Sequence, residues 1–194
     1  MGQVYVVGGG PAGLMAATRL AEAGLGVTVL DARPNFGRKF LLAGRSGLNL
    51  THSEPPQDFA QRYSVDAEPW LQAFSAQDLC QFVHDLGYPT KVGSSGRVFP
   101  EIWRGTEILR AWLKRLASLG VTFKPRHVLT KLDAEALTFD TPSGTSELTK
   151  PRAVVLALGG ASWPRVGFGG AWLDVCKAAG LETVDFSAAN CGLS

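Results

Sequence analysis

The hydrophobic pattern at the start of the chain changes from an unbroken run to a helical period within a few residues. Residues 4–7 are β-branched or aromatic, which fits a strand buried on both faces of a parallel sheet. An alanine-rich stretch follows and stops at Gly24, as expected at the end of a helix. Residues 27–30 form a second apolar run. This order predicts a strand–helix–strand unit.

Two further helices are predicted in the middle of the chain. Residues 75–86 place apolar side chains on one face, with Ser75 and Asp78 as a capping pair and Gly87 at the stop. Residues 106–119 repeat the pattern and also end at a glycine. The first of these helices belongs to a predicted helical insertion at about 55–90.

The region that follows alternates polar and apolar positions. Stretches 127–132, 136–140 and 146–149 are separated by turn residues and predict an antiparallel β-meander within about 121–150. A buried strand over 153–158 and a helix over 171–179 come next, and 182–186 resembles the start of another strand. We therefore expect one α/β domain over 1–180, and in 181–194 the start of a segment leading to a domain that is absent from this chain.

The turn between the first strand and the first helix carries a glycine motif. Gly8, Gly10 and Gly13 fit G-x-G-x-x-G, with Pro11 and Ala12 opening the helix. These glycines permit a tight turn, close approach of the backbone to a pyrophosphate, and close helix–strand packing. Asp31 ends the second strand, where an acid takes a ribose hydroxyl. The motif predicts dinucleotide binding, and it leaves FAD and NAD open.

Two other segments are candidates for cofactor contact. Residues 32–53 are rich in glycine and basic side chains, a composition that can wrap an anion or form a solvated connector. Gly159 and Gly160 follow the strand over 153–158, at an edge where α/β proteins bind ligands, although a structural turn is the alternative.

Composition and charge exclude several classes of function. The 194 residues include 19 basic and 17 acidic side chains, a balance that favours neither nucleic acid nor a membrane surface as partner. No apolar run approaches the about 20 residues of a transmembrane helix, and no leader pattern opens the chain. Cys80, Cys176 and Cys191 are widely spaced, which predicts neither disulfides nor a metal site. We expect a cytoplasmic protein.

No residue is assigned a catalytic role from the sequence. His52, His84 and His127 each have an ordinary surface or core explanation, and no spacing indicates a nucleophile with its base. The oligomeric state does not follow from the sequence.

Four short motifs in the chain resemble those of a known protein family. Residues 37–39 (GRK), 49–51 (NLT), 96–100 (GRVFP) and 157–164 (ALGGASWP), together with the N-terminal unit and the meander, are similar to the BaiN-like (YhiN-type) FAD-dependent oxidoreductases. The resemblance implies a Rossmann-like FAD/NAD(P)-binding domain of the glutathione-reductase type. It also implies FAD as cofactor, a small-molecule substrate, and NAD(P)H as a candidate electron donor.

The resemblance also assigns roles residue by residue. Gly8, Gly10, Gly13, Gly159 and Gly160 would face the pyrophosphate, and Asp31 the adenosine ribose. Pro11, Ala12 and Ala32 are expected to contact the cofactor as well. Arg38 and Lys39 would lie near the adenosine and phosphates, Val128 near the adenine, and Asn49, Leu50 and Thr51 near the flavin.

This chain departs from the family in two ways. Residues 45–48 read RSGL where the family often has GGRC before NLT, and the family's proteins are longer, so a truncated chain is expected. Two other functions stay open. An NAD-dependent dehydrogenase is disfavoured by the meander, and a non-catalytic FAD- or ADP-binding module is favoured if the chain is complete.

Overall fold

The computed structural model describes residues 2–45, 47–149, 151–162 and 169–187. They divide into two units, one of Met1–Arg38 with Leu116–Ser194 and the other of Lys39–Arg115. In chain order the strands are β1 (Val4–Val7), β2 (Val27–Asp31), β3 (Thr51–His52), β4 (Thr90–Val92), β5 (Arg97–Pro100), β6 (Thr122–Pro125), β7 (Val128–Leu132), β8 (Ala136–Thr141), β9 (Gly144–Thr149) and β10 (Ala153–Leu156). The helices are α1 (Pro11–Glu22), α2 (Arg38–Ala43), α3 (Pro56–Ala60), α4 (Glu68–Ala73), α5 (Ala76–Asp85), α6 (Gly105–Ser118) and α7 (Trp172–Ala178).

A four-stranded parallel sheet forms the centre of the first unit. Its order is β10-β1-β2-β6, so β1 lies between the strand that follows α1 and a strand from the far end of the chain. Val6 pairs with Val29 on one side and Val155 on the other. Strands paired on both sides are expected to be rich in β-branched residues. This arrangement confirms the predicted Rossmann-type α/β fold.

Alternate residues of β1 point to opposite faces of the sheet, and each face has its own cover. Val6 contacts the start of α1, where a Cβ at Gly13 would lie 3.2 Å from its Cγ1 atom. Val7 belongs to the opposite face and shares a core cluster with Leu30, Leu137 and Phe139. Helix α1 and the meander β7-β8-β9 therefore sandwich the sheet.

The meander has the predicted antiparallel topology, with order β7-β8-β9. β8 and β9 are joined by a tight turn, because Thr141 pairs directly with Gly144. Leu137 and Phe139 in β8 are fully buried, whereas the opposite face of the hairpin is partly or fully exposed. The alternation of apolar and polar residues in the sequence thus corresponds to a sheet with one buried face.

The second unit combines short helices with a small antiparallel sheet of order β3-β5-β4. Ser75 and Asp78 form the predicted capping box at the start of α5: the Asp78 N–H donates to Ser75 Oγ and the Ser75 N–H to the Asp78 carboxylate. Phe82 of α5 packs edge-on against Trp112 of α6, with ring centroids 5.0 Å apart. This aromatic pair joins the two helices.

Two segments differ from the expectations. Part of the predicted 32–53 loop is helical, as α2, and residues 181–187 form neither helix nor strand. The predicted strand start at 182–186 is therefore wrong, since no strand among the described residues pairs with it and Val184 is 87% exposed. Trp163, Pro164, Cys191 and the rest of the tail lie outside the described residues. None of the described helices has the length and apolar character needed to cross a membrane.

Leu137 provides a test of the packing between the meander and the sheet. Leu137→Ala removes a side chain that is 0% exposed, and we expect the free energy of unfolding to fall by about 2–5 kcal/mol. Leu156→Ala, at a strand position that is 37% exposed, is the matched control and should cost clearly less. Urea denaturation measures both variants, and equal losses would contradict the described core.

Candidate functional site

The glycine-rich turn is shaped by two contacts that leave no room for side chains. Gly8 has φ +113°, and a Cβ at this position would collide with the carbonyl oxygen of Ala157. A Cβ at Gly13 would collide with the carbonyl oxygen of Gly8. A side chain at Gly13 would force the helix away from the strand, and a side chain at Gly8 would force the turn away from the chain that follows β10. The roles predicted for these two glycines as a tight turn and a close packing point match this geometry.

Gly10 differs from these two glycines, because it faces open space. It is the N-cap of α1 with φ −82° and ψ −177°, a conformation open to any residue. Apart from its chain neighbours and the backbone of α1, no described residue places an atom within 4 Å of the position of a Cβ. Pro11 follows as the first helical residue, and both Pro11 and Ala12 are exposed. The first N–H groups of a helix have no acceptor within it and attract anions. The space beside Gly10 can therefore accept a phosphate group.

The carboxylate of Asp31 joins the end of β2 to this turn. Asp31 Oδ2 accepts from the Gly9 N–H at 2.6 Å, and Oδ1 accepts from the Arg33 N–H at 2.7 Å. Burial raises the pKa of Asp31 above its ordinary value, although the two backbone hydrogen bonds and the Arg33 charge act in the opposite direction. Each oxygen keeps a lone pair for a further donor such as a hydroxyl.

Phe36 and Gly37 cover the turn, and sequence analysis did not single them out as site residues. The Gly37 N–H donates to the Gly9 carbonyl at 2.7 Å. The Phe36 ring lies against Gly9 and packs edge-on against Phe123, with centroids 5.0 Å apart. The sequence signal that could have identified them is an aromatic residue followed by glycine a few positions after Asp31. These contacts explain why Gly9 has no side chain.

The remaining candidates of the first unit meet at the same edge of the sheet. The His127 N–H donates to the Asp31 carbonyl at 2.9 Å, which brings the start of β7 beside Asp31 and Ala32. Val128, the first residue of β7, is 46% exposed. On the other side, the Ala157 N–H donates to the Val7 carbonyl at 2.8 Å, so the chain leading to Gly159 and Gly160 leaves the sheet next to Gly8.

Four predicted site residues lie in the second unit. Asn49 is exposed, and Leu50 and Thr51 are half-buried where β3 joins β5, with the Leu50 N–H donating to the Val98 carbonyl at 2.8 Å. Lys39 begins this unit, and burial lowers the pKa of its ammonium group. Arg38, the last residue of the first unit, is exposed.

The histidines form local hydrogen bonds, and the two described cysteines have thiols of raised pKa. His52 bonds to the Ser95 carbonyl at 3.0 Å, His84 to the Thr90 hydroxyl at 2.9 Å, and His127 to the Pro125 carbonyl at 2.8 Å. Burial raises the pKa of the Cys80 and Cys176 thiols, which is the reverse of activation. None of these groups is arranged as a nucleophile with its base.

A cavity of about 660 Å³ lies in the second unit between α3, α4 and the start of α5. It contains none of the predicted site residues. Its lining carries Asp66, Glu68 and Asp78 and no basic side chain. Such a lining repels phosphate groups, so the cavity does not fit a dinucleotide.

Comparison with known proteins identifies a family for this chain and one curated relative. Residues 2–190 match the HI0933-like protein Rossmann domain. The ribosomal RNA dihydrouridine synthase of Haemophilus influenzae is 30% identical over 95 residues, which cover 48% of this chain and 24% of that protein. The match thus spans about a quarter of the curated relative's length.

Solved structures share the fold at low sequence identity. The Thermovibrio ammonificans THI4 structure has a TM-score of 0.57 at 17% identity, covering 93% of this chain and 64% of that one. An open flavocytochrome c3 fumarate reductase has a TM-score of 0.57 at 21% identity, covering 85% and 35%. The 3-ketosteroid-Δ4-(5α)-dehydrogenase of Rhodococcus jostii RHA1 has a TM-score of 0.53 at 15% identity, covering 81% and 45%.

The pKa of Asp31 gives a pH-dependent prediction. Because burial raises the folded-state pKa, the contribution of this group to stability is present below the pKa of the unfolded chain and is lost as pH rises through the folded value. The free energy of unfolding of the wild type should therefore fall with rising pH relative to that of Asp31→Asn, measured by urea denaturation at several pH values.

Asp133 is the control for this titration. It is exposed, and its hydrogen bond with Lys131 lowers the pKa of the Asp133 carboxyl. The wild type compared with Asp133→Asn should show the opposite sign, with stability lost as pH falls. A wild-type difference from Asp31→Asn that stays constant with pH would contradict the buried carboxylate.

Proposed function

Because the chain belongs to the HI0933-like protein Rossmann-domain family, we propose that it binds FAD at the turn of residues 8–13 and acts in an FAD-dependent oxidoreductase. The observation that carries the proposal is the open space beside Gly10 at the start of α1. Around that space the backbone is fixed by Gly8 and Gly13, so a diphosphate can approach main-chain N–H groups directly.

The adenosine half of FAD fits the residues of the first unit. In this proposal the Asp31 carboxylate accepts from a ribose hydroxyl through its remaining lone pairs, and Ala32 lies beside the ribose. Val128, exposed at the start of β7, offers its backbone to the adenine. Gly159 and Gly160 are exposed after β10, and in this proposal they contact the diphosphate.

The flavin half is assigned to residues of the second unit. We assign Asn49, Leu50 and Thr51 to the flavin side, and Arg38 and Lys39 to the phosphates and adenosine. FAD, when bound, supplies hydride or electron transfer, and the protein binds, orients and shields it. We name no catalytic side chain. A small molecule is the proposed substrate, with NAD(P)H as a candidate electron donor.

The curated relative suggests a second candidate substrate class. Its name is that of an enzyme acting on ribosomal RNA, and 30% identity over 95 residues favours related chemistry here. In this reading a pyrimidine ring in RNA accepts the hydride. Incubation of FAD-loaded protein with NADPH and ribosomal RNA, followed by mass spectrometry, should show a gain of two hydrogen atoms in a uridine, and unchanged RNA would favour the small-molecule substrate.

The absorbance spectrum of the purified protein tests the cofactor. Bound FAD predicts a yellow protein whose flavin band is bleached by dithionite, with FAD identified after release. A colourless protein that binds NADH would support an NAD-dependent dehydrogenase. FAD or ADP binding without turnover by any electron donor would support a non-catalytic binding module.

Gly10→Val tests the diphosphate position. The backbone at Gly10 accepts any residue and a Cβ meets no atom, so we expect the variant to fold. Its side chain fills the space proposed for the diphosphate, and FAD affinity should fall at least about a hundredfold, as expected when two or more charge-assisted hydrogen bonds are lost. Flavin fluorescence quenching measures the affinity.

Ala23→Val is the matched control, because it adds a similar bulk at the exposed C-cap of the same helix. It should bind FAD like the wild type. Unchanged FAD affinity in Gly10→Val would exclude the assigned position of the diphosphate.

A further inference from the structure

A second cavity, of about 320 Å³, lies in the second unit and has a different chemistry from the acidic one. It is lined by Leu41, Gly44, Arg45, Arg104 and Thr106. Arg45 and Arg104 are exposed, and within the described part of the chain neither guanidinium group has an ion-pair or hydrogen-bond partner. Two unpaired arginines around one concavity attract an anion.

Backbone contacts bring these two arginines together from distant parts of the sequence. The Leu48 N–H donates to the Trp103 carbonyl at 2.9 Å, which ties the loop after α2 to the loop before α6. Gly44 and Gly105 approach closely enough that a Cβ at Gly44 would lie 3.4 Å from the Gly105 nitrogen. The position of Arg45 beside Arg104 is therefore built into the fold of this unit.

Trp103 lies two residues before the start of α6 and has an unusual backbone conformation. Its φ is +68°, a conformation that is rare for a bulky residue and costs free energy. The ring is held by stacking on Phe99, with centroids 4.6 Å apart, and by Gly47, where a Cβ would lie 2.7 Å from the ring. Strain maintained by such packing is typical of binding sites.

The charges around this cavity favour a phosphoryl group. Between residues 91 and 115 six basic side chains accompany two acidic ones, and neither acid lines the cavity. Glu107 stands in the first turn of α6, is half-buried and is not among the residues that line the cavity. Phosphate oxygens accept hydrogen bonds, and this region offers three kinds of donor. They are the guanidinium groups of the two arginines, the threonine hydroxyl, and the N–H groups at the start of a 14-residue helix.

We propose that Arg45, Arg104 and Thr106, with the first turn of α6, form a binding site for a phosphoryl group. The cavity, of about 320 Å³, has room for a phosphate group together with part of the molecule that carries it. That molecule is a phosphorylated substrate. FAD, whose diphosphate has the same chemistry, is the alternative source, and its binding here would replace the diphosphate position assigned at residues 8–13. The proposal does not depend on FAD binding at residues 8–13.

Inorganic pyrophosphate is the probe, titrated into the full chain by calorimetry at low ionic strength. The Gly10→Val background removes the other proposed anion site. In that background, Arg45→Ala combined with Arg104→Ala should weaken binding at least about tenfold, because two charge-assisted contacts are lost. Thr106→Val should cause a smaller loss. Arg110→Ala, at an exposed position of α6 outside the cavity, should bind like its parent.

Competition in the otherwise wild-type protein identifies the source of the phosphoryl group. If the phosphoryl group belongs to a substrate other than FAD, saturating FAD leaves the affinity of this site for pyrophosphate unchanged. The variant with both arginines replaced then keeps its affinity for FAD. If the phosphoryl group belongs to the cofactor, saturating FAD abolishes the pyrophosphate binding that depends on Arg45 and Arg104, and the double variant binds FAD more weakly. Absence of pyrophosphate binding in the Gly10→Val background, or equal affinity in the double variant with an unchanged circular dichroism spectrum and melting temperature, would overturn the proposal.

Discussion

The backbone of Gly8 occupies the space that a side chain at Gly13 would need, and the first unit is organised around this contact. It sets α1 against the Val6 face of β1, with the start of the helix at the carboxyl edge of the sheet. The carbonyl oxygen of Ala157 likewise occupies the space that a side chain at Gly8 would need. Two backbone segments far apart in sequence therefore enclose one turn, and only glycine fits at the points of contact.

Asp31 links this turn to β2 through the Gly9 N–H. A carboxylate placed there holds the turn before any cofactor binds, and its burial raises the pKa of the group. The short aspartate side chain reaches Gly9 and Arg33 together, so the same group can stabilise the turn and still receive a hydroxyl through its free lone pairs. In the proposed complex this residue couples the conformation of the loop to recognition of the ribose.

The second unit separates its charges between two cavities. The acidic cavity is lined by side chains that already have local partners: Asp78 bonds to Ser75, and Glu68 to Gln72. At the smaller cavity, Arg45 and Arg104 have no such partners in the described residues. Internally satisfied acids support the helices, whereas unsatisfied guanidinium groups are available to a ligand. This difference is why the smaller cavity carries the phosphoryl proposal.

Elements that depend on neighbouring residues could be predicted from the sequence. The run Val4–Val7, the capping box of Ser75 and Asp78, and the alternation around Leu137 each reflect contacts within a few residues or within one hairpin. The glycine motif likewise identified Gly8, Gly10 and Gly13, because a fixed spacing is required at a strand–helix turn. Helix α2 was missed because it is short and lies among glycines and basic residues.

The sequence by itself thus determined the parallel α/β core, the meander and the glycine-rich turn, because their signals are local periods and spacings. Only the tertiary structure decided that β10 pairs with β1, that Asp31 binds Gly9, and that Arg45 stands beside Arg104. Each of these contacts joins residues separated by long stretches of chain. Their energies depend on burial and on groups supplied by other elements, so no local pattern contains them.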